Sequence, residues 1–462
     1  MSEVQKGWKP SGKFYVNISF FLLSIIIVVA IWPHGKSDSL PKYFGTLILV
    51  SACYLVLYLF LSHFRSEILE VKRKTLFIIL IILSFIILTR IVISYPEQDM
   101  LFLIPFAIIP IVIRTFYDAR LALFILLITI MLAGFMVPDP FGFSFVSFIS
   151  GMVAIFTLSN IYRRAKLFFS ALLVFVCYST LTLGISLMKF GNLEDINSFD
   201  FILFAGNGIL ILFSYPIIFL FEKKFLFLSD NTLLELADTN QPLLRKLAEE
   251  APGSFQHSLQ VANLAEEAAR ITGSNLLLVR TGSLYHDIGK ISNPNYFIEN
   301  QTDGFSPHDN LYPEDSVKVI INHVKKGVVL AKNYKVPIQI IDFIRTHHGT
   351  TLAYSFYKKY TDLNPCDTSK EKDFTYPGPK PFSKETAVVM MADAVEAASR
   401  SITKYTEETI SELVDRIIME KEQDGQFSEV PLTFKEISDI KNVFKKRLST
   451  IYHVRVAYPE RG

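Results

Sequence analysis

Cysteine is scarce in this sequence, with only three among 462 residues, at Cys53, Cys177 and Cys366. They are scattered and form no CxxC pair, which excludes a disulfide framework and a cysteine-rich zinc site. The first two lie in apolar runs, so we expect buried, reduced thiols.

Net charge is also nearly absent, at +2, and no bulk charge therefore indicates binding to nucleic acid. Half of the residues are hydrophobic and the mean hydropathy is positive, which is unusual for a protein that lies wholly in water. The length allows a membrane domain and one further domain of ordinary size.

Long apolar runs fill residues 1–222, and we count eight of membrane-spanning length. A buried globular core would not produce eight such runs in succession. A count of seven is the alternative, because the fourth and fifth runs are short and separated only by residues 114–120. The predicted spans lie near 13–32, 44–63, 75–95, 100–116, 119–137, 142–161, 167–190 and 201–221.

Every second loop between these runs is rich in basic residues and the loops between are poor in them, as expected when every second loop faces the cytoplasm. This pattern predicts a multi-pass membrane protein with both termini cytoplasmic. Arg90 is the one ionisable residue well inside a span, so an anchor or sensor is favoured over a transporter. The basic residues on the predicted cytoplasmic side are Lys6, Lys9, Lys13, Arg65, Lys72, Arg73, Lys74, Arg114, Arg120, Arg163, Arg164, Lys166, Lys223 and Lys224.

Residues 223–252 are predicted to form a helical connector, which Pro242 divides into two helices. It either packs on the domain that follows or transmits signals to it from the membrane. Residues 253–462 are predicted to be helical, and the chain as a whole to be all-α. We expect helices at 315–333, 337–347, 384–401 and 407–422, a last helix opened by a capping box of Thr433 and Glu436, and a long loop or hairpin at 364–382.

A series of histidines and aspartates carries the chemistry of this half. Each of them alone is more typical of a packed or surface residue. Their order within one domain, H…HD…H…HH…D, indicates a shared metal site. Imidazole and carboxylate suit iron, manganese or zinc, and paired ions lower the pKa of water and neutralise charge on phosphate oxygens. The series is His257, His286, Asp287, His323, His347, His348 and Asp393.

This order resembles that of HD-domain phosphohydrolases. The surrounding residues are similar to the membrane-bound 7TM-HD family, typified by PgpH-type cyclic di-AMP phosphodiesterases. The resemblance covers nearly all of 225–460 and is only architectural in the membrane half. The matching segments lie at 233–235, 242–245, 250–253, 286–290, 297–301, 347–351, 376–381 and 392–400.

Two departures from the family are visible. Members usually carry a large extracellular domain between the first span and the next seven, where this chain has only residues 33–42, so ligand sensing by such a domain is not expected. Relatives often have a second histidine where this chain has Gln256. We take His257 as the ligand, so this loss is expected to be harmless.

The resemblance implies two metal ions, iron or manganese, with Asp287 as the shared ligand. One ion would be held by His257, His286, Asp287 and Asp393, and the other by Asp287, His323, His347 and His348. Lys290 would contact a substrate phosphate and assist catalysis, or be an ordinary lysine at a helix end. His308 is a further candidate for substrate binding, although a loop histidine without such a role is favoured. Residues 376–381 would form a pocket wall or a rigid loop.

The resemblance implies hydrolysis of cyclic di-AMP to linear pApA. The alternative substrate cyclic di-GMP is disfavoured, since that branch usually has a Gly-Tyr-Pro signature shortly after its paired histidines, whereas Gly349 is followed here by Thr350, Thr351 and Leu352. Alarmone hydrolysis rarely uses paired histidines. A receptor whose HD domain binds nucleotide without turnover would be expected to lose a ligand, and none is lost. The expected partners are the dinucleotide and the lipid bilayer, and a homodimer is an assembly that the sequence allows.

Overall fold

A computed structural model describes residues 12–33, 35, 39–95, 98–157, 164–191, 197–301, 306–365 and 369–452. Lys6, Lys9, Arg163, Cys366 and, between the first two apolar runs, residues 34 and 36–38 lie outside the described residues. The chain divides into two compact units, Met1–Ser229 and Asp230–Gly462.

The first unit has a helix at each of the eight predicted apolar runs. Five of these segments are long and apolar enough to cross a membrane, and three are shorter apolar helices. The helices are α1 Gly12–Ile31, α2 Leu40–Phe64, α3 Ser66–Leu69, α4 Lys72–Ile93, α5 Ile108–Phe116, α6 Ala119–Gly134, α7 Pro140–Thr157, α8 Arg164–Phe190, α9 Ser198–Ile211 and α10 Ser214–Phe225, with a 3₁₀ helix at Gln98–Leu103.

The fourth apolar run is not one continuous helix, since the 3₁₀ helix ends before α5 begins. Backbone carbonyls freed by such a break need partners within the protein, because lipid offers none. Asn207 of α9 supplies them by donating hydrogen bonds to the carbonyl oxygens of Phe102 at 2.8 Å and Ile104 at 3.0 Å. Arg90 donates to the Ser94 hydroxyl one turn further along α4, at 3.0 Å.

The second unit is all-α, as predicted. An isolated bridge between Leu352 and Thr375 is the only β pairing in the described part of the chain. The helices are α11 Asp230–Leu236, α12 Pro242–Glu250, α13 Pro252–Thr272, α14 Leu276–Tyr285, α15 Pro313–Asn333, α16 Ile338–Thr346, α17 Tyr354–Leu363, α18 Lys384–Ser399, α19 Glu407–Gln423 and α20 Phe434–Ile451, with 3₁₀ helices at Ile288–Ser292, Pro294–Tyr296, Ile298–Asn300, Pro307–Asn310 and Glu371–Phe374.

The predicted helix boundaries in this unit are confirmed to within about two residues, which is the usual scatter of helix ends. Pro242 opens α12 and so divides the connector, and Thr433 with Glu436 forms the capping box of α20. Helix α17 was not predicted, because its aromatic-rich sequence has modest helix propensity. Packing of Tyr360 against Phe374 stabilises it, with ring centroids 5.3 Å apart.

The core of this unit lies between α13, α14, α18, α19 and α20. Val261, Ala265, Val388, Val395 and Phe444 are among its fully buried members. Small side chains on α13 allow α18 to approach closely, and this contact places the inward faces of the two helices side by side. The metal-ligand candidates of both helices lie on those faces.

Candidate metal centre

The structure brings all seven predicted ligands together, although they come from five separate segments. His257 is on α13 and His323 is on α15. His286 and Asp287 follow α14, the adjacent histidines end α16, and Asp393 is on α18. All are buried except His348, which is half-buried. Three groups of donor atoms, each within 4.8 Å of one another, are suited to holding a metal ion: His257–His286–Asp393, His286–Asp287–His347 and His323–His347–His348.

Asp287 lies at the centre of this cluster. Its Oδ2 is 3.3 Å from Nε2 of His286 and 3.6 Å from Nε2 of His257. Its Oδ1 is 3.5 Å from Nε2 of His323 and 3.6 Å from Nε2 of His347. Oδ2 therefore faces His257 and His286, and Oδ1 faces His323 and His347. This is the arrangement expected of a ligand shared by two ions.

Backbone carbonyls orient the histidine rings. Nδ1 of His286 donates to the Ser283 carbonyl at 2.6 Å, and Nδ1 of His347 donates to that of Ile344 at 3.0 Å. His323 makes the same type of bond. With Nδ1 donating to a carbonyl in this way, Nε2 is the nitrogen directed at the cluster, where it can bind a metal once it carries no proton.

The donor atoms fit a divalent metal pair. Nε2 of His286 and Oδ1 of Asp287 are fully buried without a hydrogen-bond partner among the described residues, whereas Oδ2 of Asp287 contacts Lys290. Buried polar atoms are normally satisfied, because leaving them unpaired costs about 1–3 kcal/mol each. A metal bound to these atoms would remove that cost, and a nitrogen and oxygen donor set without thiolate suits iron or manganese.

Charge within the cluster is distributed unevenly. Burial opposes a charge on His286, but Asp287 and Asp393 outweigh it and raise its pKa to about 10. Burial and the neighbouring His286 lower the pKa of His347 to about 3, so that ring is neutral. Although burial raises the pKa of Asp287, His286 and Lys290 hold it well below its usual range. Metal binding would therefore displace a proton from the cluster.

Lys290, for which the sequence left open a substrate contact or an ordinary lysine at a helix end, lies buried beside this centre. Its Nζ is 2.6 Å from Oδ2 of Asp287 and 2.7 Å from Oε1 of Glu299. Burial lowers the pKa of Lys290, but the two carboxylates raise it above its ordinary value. Glu299 also accepts a hydrogen bond from Ser254 at 2.8 Å, so Lys290 is held between the metal cluster and the start of α13.

Glycine at position 289 permits this geometry. A Cβ at Gly289 would lie 1.8 Å from the carbonyl oxygen of His323 and 2.7 Å from the amide nitrogen of Gly327. The turn after the HD pair therefore packs directly against the α15 backbone. This contact sets the separation between Asp287 and His323.

Glu396 is a site residue to which the sequence reasoning gave no role. Its carboxylate accepts a hydrogen bond from Nδ1 of His257, while Nε2 of the same ring is 2.9 Å from Oδ1 of Asp393. Arg400 holds Glu396 in place through two nitrogens, with Nη2 at 2.7 Å. The spacing of Asp393, Glu396 and Arg400 at three and four residues, which places them on one helix face, is the signal that could have identified them.

His308 is not brought to the metal cluster. Its Nε2 donates to the carbonyl of Tyr296 at 2.9 Å, and its ring packs against Phe356. Tyr376, by contrast, lies over His348 with ring centroids 4.2 Å apart. Tyr376 also lines a cavity of about 460 Å³ that opens onto the cluster, whereas His308 is not among the lining residues.

Comparison with known families gives two matches. Residues 40–229 match the family described as "7TM receptor with intracellular HD hydrolase", and residues 254–398 match the HD domain. The first match begins at α2 and contains seven of the eight apolar runs. The second contains all seven ligand candidates.

Two curated relatives resemble nearly the whole chain. "Cyclic-di-AMP phosphodiesterase PgpH" of Listeria monocytogenes is 34% identical over 98% of this chain and 60% of the relative. The protein of the same name from Bacillus subtilis is 34% identical over 92% of this chain and 61% of the relative. The chain therefore spans about 60% of the length of these relatives. A crystal structure of the L. monocytogenes PgpH HD domain in complex with cyclic-di-AMP is 47% identical over 46% of this chain and 100% of that one, with a TM-score of 0.45.

Proposed function

Because the chain belongs to the family of 7TM receptors with an intracellular HD hydrolase, we propose that it is a membrane-anchored phosphodiesterase that hydrolyses cyclic di-AMP to linear pApA using two divalent metal ions. The observation that carries the proposal is the position of Asp287, whose two oxygens face two sets of buried imidazoles. The names of the relatives support the choice of substrate.

The ligand candidates would divide into two overlapping sets, as the family resemblance implies. His257, His286 and Asp393 would hold one ion, His323, His347 and His348 the other, and Asp287 both. When bound, such a pair supplies an activated water near neutral pH and neutralises charge on phosphate oxygens. Iron or manganese fits this donor set.

The chain's own residues contribute positioning and charge. Asp287 joins the two ligand sets, and Lys290 places a fixed positive charge beside it, where a phosphate oxygen of the substrate would gain a charge-assisted contact. Tyr376 forms a wall of the cavity next to His348. His308 would act only indirectly, because its ring is engaged by Tyr296 outside the cavity lining.

The first unit anchors the enzyme in the membrane. Its alternating loop charge supports an orientation with both termini cytoplasmic, and the bacterial origin of the relatives supports a location in the bacterial inner (cell) membrane. Exposed Lys72, Arg73 and Lys223 belong to the basic set on that side. This orientation gives the metal cluster access to a cytosolic nucleotide.

Turnover by the full chain, purified in detergent and loaded with manganese or iron, tests the proposal. Cyclic di-AMP, cyclic di-GMP and an alarmone are compared side by side, with Asp287→Ala as the inactive variant and Asp309→Ala as a matched exposed control. We expect pApA from cyclic di-AMP, and loss of both metal and turnover only in Asp287→Ala. Binding of cyclic di-AMP without any product would instead identify a receptor, and faster turnover of another nucleotide would refute the substrate assignment.

A further inference from the structure

The cavity beside the metal cluster is lined by three cationic side chains. Lys290 is paired with Asp287 and Glu299, and Arg400 is paired with Glu396. The third, Lys421, is in the last turn of α19 and is half-buried. Within the part of the chain that the structure describes, its ammonium group has neither an ion pair nor a hydrogen bond.

A half-buried ammonium group without a close partner is costly, because water solvates it incompletely. Burial lowers the pKa of Lys421, and the negative charge of Asp393 acts against this effect. Lys421 and Asp393 line the same cavity, although no carboxylate among the described residues reaches Lys421 as an ion-pair partner. A bound anion would provide the missing compensation.

A cyclic dinucleotide has two phosphodiester groups on opposite sides of one ring. Only one of them can be at the metal cluster during hydrolysis, so the other occupies a separate position, within reach of a different set of side chains. Lys290 is beside Asp287, whereas Lys421 comes from a different helix and lines the cavity together with Arg400 and Ser401 of the α18 end. Ala394 and Ala397 on α18, which line the same cavity, have small side chains.

We propose that Lys421 binds the second, uncleaved phosphate of the cyclic dinucleotide and so selects a substrate with two phosphodiesters over one with a single phosphodiester. This inference rests on the proposed function. Lys421 is a positioning residue, since it would contact the substrate away from the reacting bond. Its contribution should be equal in the ground state and the transition state, and so should appear in KM and not in kcat.

The test uses the full chain in detergent with manganese and compares Lys421→Met and Lys421→Arg with the wild type. The matched control is Lys446→Met, which removes one exposed positive charge from α20. The substrates are cyclic di-AMP and linear ApA, which retains both adenosines but has one phosphodiester. Metal content is measured for every variant.

We expect Lys421→Met to raise KM for cyclic di-AMP roughly tenfold or more, the loss typical of a hydrogen bond to a charged group. Its kcat, its metal content and its kinetics with ApA should remain within about twofold of wild type. Lys421→Arg should restore most of the affinity, and Lys446→Met should change nothing.

An unchanged KM in Lys421→Met would overturn the inference while leaving the proposed function intact. An equal loss with ApA, a loss of metal, or a similar effect in Lys446→Met would also overturn it, because each indicates a general or structural role. If the wild type fails to hydrolyse cyclic di-AMP, the proposed function fails and this inference fails with it.

Discussion

His257 donates a hydrogen bond from Nδ1 to Glu396, and this pair fixes the orientation of one metal-ligand candidate. The other ring nitrogen lies 2.9 Å from Asp393, which is one turn earlier on the same helix as Glu396. A single helix, α18, thus supplies both a ligand candidate and the group that orients its neighbour. Carboxylate support of this kind increases the basicity of a ligating imidazole.

Glu396→Gln is expected to weaken metal binding about 10- to 100-fold, because the amide keeps the shape of the side chain but supports the imidazole less strongly. The measurement is a competition titration of manganese against a chelator. Glu412→Gln, an exposed change on α19, is the matched control. Equal metal affinity in the Glu396 variant and the wild type would show that the hydrogen bond only stabilises the helix contact.

Lys290→Met is expected to reduce turnover by about 100-fold or more while metal content is retained, because it removes a fixed positive charge from the position of the substrate phosphate. Losing this lysine leaves Glu299 buried without its partner. The double variant Lys290→Met with Glu299→Gln removes that unpaired charge and separates catalysis from folding.

Lys318→Met is the control for this prediction, since Lys318 is exposed and pairs only with Asp315 on the surface. Steady-state kinetics and metal analysis are made on all three variants. If the double variant is as active as the wild type, Lys290 has a purely structural role.

Much of the fold could be predicted because its signals are local. The helices of the first unit could be predicted from the length of the apolar runs. In the second unit, Pro242 and the capping box of Thr433 and Glu436 predicted where two helices begin. The break in the fourth apolar run was not predicted. It depends on Asn207, which is more than 100 residues away along the chain and donates to Phe102 and Ile104.

The ligand candidates could be predicted because their residue types and order are distinctive, and the predicted resemblance agrees with the family matches at residues 40–229 and 254–398. Their supporting groups could not be predicted in the same way. Glu299 and Glu396 are ordinary acids in the sequence, and only the tertiary contacts with Lys290 and His257 give them a role. His308 lies in a histidine-rich stretch, yet its ring is directed to Tyr296, because side-chain direction in a loop leaves no periodic signal.

Gly289→Ala is expected to destabilise the second unit by about 1–3 kcal/mol, because the added methyl group would overlap the α15 backbone at His323. The displaced turn would also separate Asp287 from His323, so metal content should fall. Thermal unfolding and metal analysis measure the two effects. Gly184→Ala is the control, since a Cβ there meets nothing within 4 Å. If Gly289→Ala has the melting temperature and metal content of the wild type, the turn can shift without loss of stability or of metal binding.

The pH dependence of stability provides a test that is remote from the metal cluster. Glu436 caps α20 and forms an ion pair with Lys384. The Lys384 contact and the hydrogen bond from the Thr433 backbone lower the pKa of Glu436 from 4.5 to about 2. A carboxyl group whose folded pKa is depressed stabilises the fold above its unfolded pKa, and this stabilisation is lost as the pH falls through the folded value.

Glu436→Gln should therefore lower the free energy of unfolding by about 0.5–1 kcal/mol near neutral pH, a modest amount because solvent screens the partly exposed pair. The difference from wild type should shrink as the pH falls below 4.5 and vanish near 2. Melting temperatures are compared in the presence of a chelator, so that loss of metal in acid does not contribute. Glu412→Gln should show no such trend, and a constant difference at every pH would mean that the carboxylate acts by packing and not by charge.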